Sequence, residues 1–525
     1  MPSTTASTTK SNSFTAGVLA GINHKFTTAH GKHATMEIQL DNHYSAKAYT
    51  SSSSLSGRVV IRPSRDTRFD SLQILLMGVT RTRVDGVHAP AATQHTFLKL
   101  TMPIPESSYP VPRVYEADRT YSVPFNFVIP SYLTLSACSH KTESDAVSGH
   151  HLCIPPSLGG IPSSSSWDKD DMAPDMARVE YTIRARLYRD EEVDKRRTKI
   201  LEANQVFNVL PAFSEQPPLN ITPDDSLYSM TKTKSVRKSI LSPKTGKITL
   251  TAAQPGAVMV SPNGSAGTTT TSARIDFTYE AASGQSSSSA LPKVTEVTSK
   301  ISAVTFFGAG AIKDLPNMSN WVRTYGAEGR GSYTYNTNLG SMAIKDFEWE
   351  QHISAQARRD SGYCSDFAGD SDHSGGGGGG GRRWSNSSST KSHNNSSSSS
   401  SPIYHTASLQ VPVALPTHKR MFVPTFHSCI VSRVYVLWLT VTVSSCGGSS
   451  TSKTTLGVPL QIGVEPDASL EAGEGAGPPT FEAAMEEAEV DELLRPRTMH
   501  VPDVEFERHA LPGYGDSVGW RTATA

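Results

Sequence analysis

From Thr35 onward, apolar residues recur at every second position, and that spacing decides what the segments carrying it can fold into. Met36, Ile38 and Leu40 alternate with Glu37 and Gln39, and the pattern returns at Val59/Ile61 and along Leu72 to Val79. It recurs at Tyr121/Val123/Phe125/Phe127/Ile129, interleaved with Ser122, Pro124, Asn126 and Val128. The strongest case is Val179/Tyr181/Ile183/Ala185/Leu187, set against Arg178, Glu180, Thr182, Arg184 and Arg186. A helix turns residues two apart toward different sides, whereas a strand lines them along one face. These segments can therefore bury their apolar sets only as strands.

A second series follows at Ile248/Leu250, Ile275/Phe277/Tyr279, Ile301 to Phe307, Leu409/Val411/Val413/Leu415, Phe426 to Val443 and Leu456/Val458/Leu460/Ile462/Val464. Many such segments divided by Pro, Gly and Ser turns, with little helical periodicity between them, predict an all-β chain of antiparallel sandwiches rather than a βαβ sheet. At 525 residues the chain exceeds what one core usually serves. The expected division is a first sandwich over 34–212, a linker over 213–227 opening at Pro217-Pro218, and a second sandwich over 228–465.

The apolar share of 37% is low for a wholly globular chain, and Ser, Thr and Gly tracts account for the deficit. Disorder is expected over 1–33, in an insertion at about 355–400 that carries the Gly375 to Gly381 and Ser396 to Ser401 runs, and over most of an acidic tail at 466–525. Within the tail, Pro478-Pro479-Thr480 introduces a short helix that Thr480 can cap, with Phe481, Met485 and Ala488 on one face.

Lys plus Arg and Asp plus Glu both number 49, so no global field draws the chain toward nucleic acid. The five cysteines are scattered and odd in number, unlike a secreted disulfide framework. The longest apolar run, Val434 to Leu439, falls far short of the roughly 20 residues of a spanning helix. These features predict a cytoplasmic protein whose membrane contacts are peripheral or made through a partner.

Three stretches resemble the α-arrestins, the arrestin-related trafficking adaptors, in their fungal form. They are Thr120-Tyr-Ser-Val-Pro-Phe-Asn-Phe-Val-Ile-Pro130, followed by Ile154-Pro-Pro-Ser-Leu158; Val179-Glu-Tyr-Thr-Ile-Arg-Ala-Arg-Leu187; and Pro424-Thr-Phe-His-Ser-Cys-Ile-Val-Ser-Arg-Val-Tyr-Val-Leu437. The third is similar to the family's C-domain pattern at Phe426, Ser428, Ile430, Arg433, Tyr435 and Leu437. The resemblance runs from about Thr35 to Val464. It implies an arrestin fold of two tandem immunoglobulin-like sandwiches that read a membrane-protein cargo. It also implies short proline motifs that recruit a HECT-type ubiquitin ligase through its WW domains, with relocation to the plasma membrane or endosomes.

WW domains grip prolines and seat a tyrosine nearby, so the family motif is Pro-Pro-x-Tyr in a flexible segment. The chain departs from this, because Pro-Pro-x-Tyr does not occur in it. Two near matches stand in its tail. Leu511, Pro512 and Tyr514 form a Leu-Pro-x-Tyr variant, while Pro478, Pro479 and Phe481 keep both prolines and replace the tyrosine hydroxyl with hydrogen. The bland reading of Pro478-Pro479 is a helix-initiating turn. Two weak motifs on one tether can still bind a multi-WW ligase through effective concentration. The missing motif also keeps open a second reading, an arrestin-fold signalling scaffold, as in ambient pH sensing, without a direct ligase link.

The one Gly-x-Ser-x-Gly sequence, Gly515-Asp-Ser-Val-Gly519, falls in the tail expected to be disordered, outside the strand-to-helix setting of a nucleophile elbow, and no P-loop or His-Glu-x-x-His is present, so no catalytic residue is assigned and no enzyme activity or cofactor is expected. Cys138-Ser-His140 and His150-His-Leu-Cys153 offer zinc-type ligands. They lack the paired knuckles of structural zinc sites and read as a polar loop between strands, so no metal is expected. Two basic clusters, Lys195/Arg196/Arg197/Lys199 and Lys232/Lys234/Arg237/Lys238, are candidates for acidic lipid head groups or phosphorylated cargo tails, the alternative being solvated strand ends. Phosphorylation at Ser242-Pro243 or Ser261-Pro262 would weaken such binding.

Overall fold

The computed structural model describes residues 34–85, 90–159, 167–191, 196–218, 225–237, 239, 242–282, 291–323, 329–353, 403–445 and 451–467. These residues are mostly strand, arranged in several antiparallel sheets. They belong to one compact unit, Met1–Asp467, and the second unit, Ala468–Ala525, lies outside them.

The alternating segments are strands with the expected faces inward. In Tyr121–Val128 the residues Val123, Phe125 and Phe127 are buried while Ser122, Pro124, Asn126 and Val128 are exposed. The strand Ala177–Glu191 is central in its sheet, between Ser71–Val84 and Arg196–Val209, and buries all five of its expected apolar residues. Its other face is half-covered by ion pairs, Arg178 to Glu180 at 2.6 Å and Arg186 to Glu202 at 2.9 Å.

The strands sort into two sets along the chain. Among the described residues, every ladder formed between Thr35 and Val209 stays within that range, and every ladder between Thr231 and Val464 stays within its own. The first set holds a three-stranded sheet of Thr35–Leu40, Ser54–Arg62 and Tyr121–Val128, and a five-stranded sheet centred on Ala177–Glu191. The second holds two five-stranded sheets, one around Thr271–Ala281 and one around Lys293–Gly308 and Val431–Ser444, whose fifth strand, Thr451–Leu460, pairs with Val431–Ser444. Among the described residues, two isolated bridges, Asp170↔Arg420 and Phe213↔Val464, cross between the sets. Phe213 belongs to the expected linker and exchanges two backbone hydrogen bonds with Val464, at 3.0 and 2.9 Å.

Several elements differ from expectation. The stretch 138–153, read as a loop, contains the helix Asp145–Leu152, preceded by a 3-10 turn at Leu135–Ala137. Ser144 caps the helix by accepting the Val147 N–H at 3.4 Å, and Asp145 stands at its positive end. The unexpected strand Arg330–Ala343 lies at a sheet edge against Lys293–Gly308, with Tyr333, Tyr335, Thr337 and Leu339 half-buried and Thr334, Asn336 and Asn338 exposed between them. Arg196, Arg197 and Lys199, expected on the approach to a strand, lie within one, Arg196–Val209. The expected insertion, N-terminal arm and tail helix fall outside the described residues.

Candidate functional site at the junction of the two sheet sets

The side chains that bring chemistry together gather where the two sets meet. The segment after Trp167 crosses to the second set: Asp170 accepts the Met421 N–H through its carbonyl at 3.0 Å, and its carboxylate pairs with Arg420. Arg420 also bonds the Tyr335 hydroxyl and lies over that ring, 4.9 Å from its centroid. Next to this pair, Asp171 is buried, its carboxylate accepting the Gly159 N–H at 2.7 Å and the Ala173 N–H at 3.0 Å. Burial raises the Asp171 pKa, and the nearby Arg433 guanidinium with the two N–H donors opposes the rise without cancelling it.

Arg433 projects from the strand Val431–Ser444 and is fully buried. Its Nη1 donates to the Asp171 carbonyl oxygen at 3.3 Å, and its Nε and Nη2 have no hydrogen-bond partner. Such a cation persists only beside compensating charge and dipoles, here those of Asp171 and the Tyr435 ring, 5.9 Å away. Arg433 and Tyr435 belong to the third family-like stretch, and the Tyr435 hydroxyl donates to the Val423 carbonyl at 2.8 Å.

A second cluster lies in the same junction. The helix Asp145–Leu152 turns Val147 and His151, four residues apart, into the interior together. Across from them, Ser428 closes a turn, its N–H and Oγ donating to the Val431 carbonyl at 2.8 and 2.7 Å, and this presents Cys429. The turn is fixed by the Ile312 N–H donating to the Cys429 carbonyl at 2.7 Å. Cys138, His140, His151 and Cys429 each place one ligand-type atom so that all four lie within 4.8 Å of one another.

Cys138 Sγ stands 3.6 Å from His151 Nδ1 and 3.9 Å from the His140 ring nitrogens. Burial, followed by the charges of His140, His150 and His95, lowers the His151 pKa to about 4. Burial and then the Cys138 thiol push the Cys429 thiol well above its ordinary range. His150 instead faces His427, with ring centroids 5.3 Å apart, and Cys153 directs its thiol to the Gly149 carbonyl at 3.5 Å. The expected polar loop surface is thus divided. His151 is 1% exposed, and Cys138, His140 and His151 acquire a fourth neighbour, Cys429, that sequence reasoning left out.

The basic candidates lie elsewhere. Arg197 stacks on Tyr188 with its guanidinium carbon 4.3 Å from the ring centroid and approaches Asp190 at 3.7 Å; Lys199 pairs with Glu202. Lys232 and Lys234 stand opposite the buried Leu250 and Ile248 on the edge strand Thr231–Arg237, so they share the core-facing side at its rim. Charges so placed also guard a sheet edge against pairing with another chain. Lys234 Nζ donates to the Lys453 carbonyl at 2.9 Å, and Arg237 to Ser242 at 3.4 Å. Lys195, Lys238 and the tail residues Pro478, Pro479, Phe481, Leu511, Pro512 and Tyr514 lie outside the described residues, as does the Arg196 side chain.

No protein-family model matches the chain, and no curated protein matches it. No helix among the described residues is long and apolar enough to cross a membrane as a helix.

Proposed function

We propose that the chain is an arrestin-type adaptor: two tandem immunoglobulin-like sandwiches that read a membrane-protein cargo, and a tail that recruits a WW-domain HECT-type ubiquitin ligase for ubiquitin-dependent endocytosis. The observation that carries this reading is the segregation of antiparallel sheets into two sets joined across the buried Arg433 and Asp171. Arg433 stands in the stretch most like the family's C-domain pattern, where Phe426, Ser428, Ile430, Tyr435 and Leu437 are also buried. A junction closed by buried polar contacts holds both sheet sets in one pose, as a reader spanning both requires.

In this reading the ligase meets Leu511, Pro512 and Tyr514, with Pro478, Pro479 and Phe481 as a second contact, and the protein works from the cytoplasm on plasma-membrane or endosomal cargo. The basic residues Arg197, Lys199, Lys232, Lys234 and Arg237 supply peripheral attraction to acidic head groups or phosphorylated cargo tails. Purified full-length chain mixed with the ligase's WW domains should form a complex that Tyr514→Ala combined with Phe481→Ala abolishes. Equal binding by the double variant removes those contacts. The second reading, a scaffold without a ligase link, is favoured by the departure of both tail motifs from Pro-Pro-x-Tyr, and it predicts that cargo ubiquitination is unaffected by the protein.

A further inference from the structure

We propose that Cys138, His140, His151 and Cys429 form a zinc site that fastens the two sheet sets together. The donor set is two thiols and two imidazoles, the ligand types of tetrahedral structural zinc. Zinc bond lengths of about 2.0–2.3 Å place tetrahedral ligand atoms about 3.3–3.8 Å apart. The Cys138 to His151 edge, at 3.6 Å, already has that length, and the edges to His140, at 3.9 Å, nearly do. The widest separation, 4.8 Å, closes with a movement of about 1 Å, the distance by which a metal draws in its ligands.

Burial also points to a ligand. His151 is almost wholly buried with its Nδ1 turned to the Cys138 thiol at 3.6 Å. Cys429 is also buried, and its thiol meets the Cys138 thiol and the Ala137 carbonyl, the latter at 3.7 Å. A buried polar set so poorly satisfied is costly unless something else engages it. Two thiolates would neutralise a zinc ion, so the loaded site brings no net charge into the junction. Cys138 and His140 are only half-buried, which leaves a side through which the ion can arrive.

The ligands come from both sides of the junction. Cys138, His140 and His151 belong to the segment between the strands Tyr121–Val128 and Ala177–Glu191 of the first set, and Cys429 to the turn before Val431–Ser444 of the second. The metal therefore acts as a cross-link between parts far apart in the chain, and its binding energy adds to their docking. This inference does not depend on the adaptor reading, since metal content is measured without a ligase or cargo.

The test is metal analysis of the purified full-length chain. About one zinc per chain is expected, with loss of that equivalent in Cys429→Ser and His151→Gln and retention in Cys153→Ser, whose thiol lies outside the cluster. Circular dichroism identifies which variants are folded. Cobalt substitution of the wild-type chain gives a readout that needs no variant, namely the visible bands of tetrahedral cobalt bound to thiolate. Stripping the metal should lower the wild-type melting temperature by several degrees and leave the folded double variant Cys429→Ser/His151→Gln unmoved. The proposal is overturned if folded wild-type chain holds no stoichiometric zinc and gives no cobalt–thiolate bands, if the double variant keeps its zinc, or if mass analysis finds Cys138 and Cys429 joined as a disulfide.

Discussion

The Thr82 hydroxyl donates to the backbone carbonyl of Gly308 at 2.7 Å, joining the strand Ser71–Val84 of the first sheet set to the end of Lys293–Gly308 in the second. Thr93 repeats the contact on Ala309 at 2.7 Å. Thr82→Val keeps the shape and deletes the donor, so it should cost about 1–2 kcal/mol by leaving a buried carbonyl short of a partner. Thr80, on the same strand, is fully buried with a hydroxyl that has no partner. Thr80→Val should therefore be neutral or stabilising. Urea midpoints of the two variants against wild type measure the contrast, and equal losses would mean that the bond to Gly308 contributes nothing specific.

Arg433 and Asp171 should behave as a coupled pair. Removing the guanidinium in Arg433→Met deletes the bond to the Asp171 carbonyl and the nearby cation that opposes the burial of the Asp171 carboxyl, a change that should cost about 1–3 kcal/mol. Replacing both, with Asp171→Asn added, should cost less than the sum of the single changes, because the stranded charge is gone. A double-mutant cycle on unfolding free energy reads the coupling, and additive losses would show the two residues to be independent.

How far the sequence announces this molecule depends on whether a feature lies within one segment or between segments. Val179 to Leu187 is legible because alternation within nine consecutive letters reports directly on a strand face, and the structure buries that face. Arg330–Ala343 is less so, because this edge strand is only half-buried and its alternation of Tyr333, Tyr335, Thr337 and Leu339 with Thr334, Asn336 and Asn338 has a weak apolar contrast. The helix Asp145–Leu152 is too short for a helical apolar stripe, though Ser144-Asp145 is a capping signal that could have revealed it. Cys138 and His140 are visible as ligand types, but their partner Cys429 sits in a turn of the other sheet set, and no local spacing connects them. The same is true of Asp171 and Arg433: two buried ionisable groups brought together by tertiary contact look in the sequence like two ordinary surface charges.

Acid should weaken the first sheet set partly through Glu202. Burial works to raise its pKa, but hydrogen bonds from Lys199 and Arg186 and their positive charges outweigh burial, so the pKa is lowered. A carboxylate held below its unfolded value contributes stability that is present above the ordinary Glu value of about 4.3 and is lost as pH falls through the lower folded-state value. Between about pH 5 and about pH 3, Glu202→Gln should therefore lose less stability than wild type. Urea midpoints across that range check the difference, and parallel curves would contradict it.

The adaptor reading is tested most directly by the ubiquitin carried by plasma-membrane proteins in cells that have the chain, lack it, or carry Tyr514→Ala with Phe481→Ala. A distinct subset of transporters or receptors should lose ubiquitin, and remain at the surface, in the cells without the chain and equally in those with the double variant. Unchanged ubiquitination of every plasma-membrane protein in the absence of the chain would contradict the account.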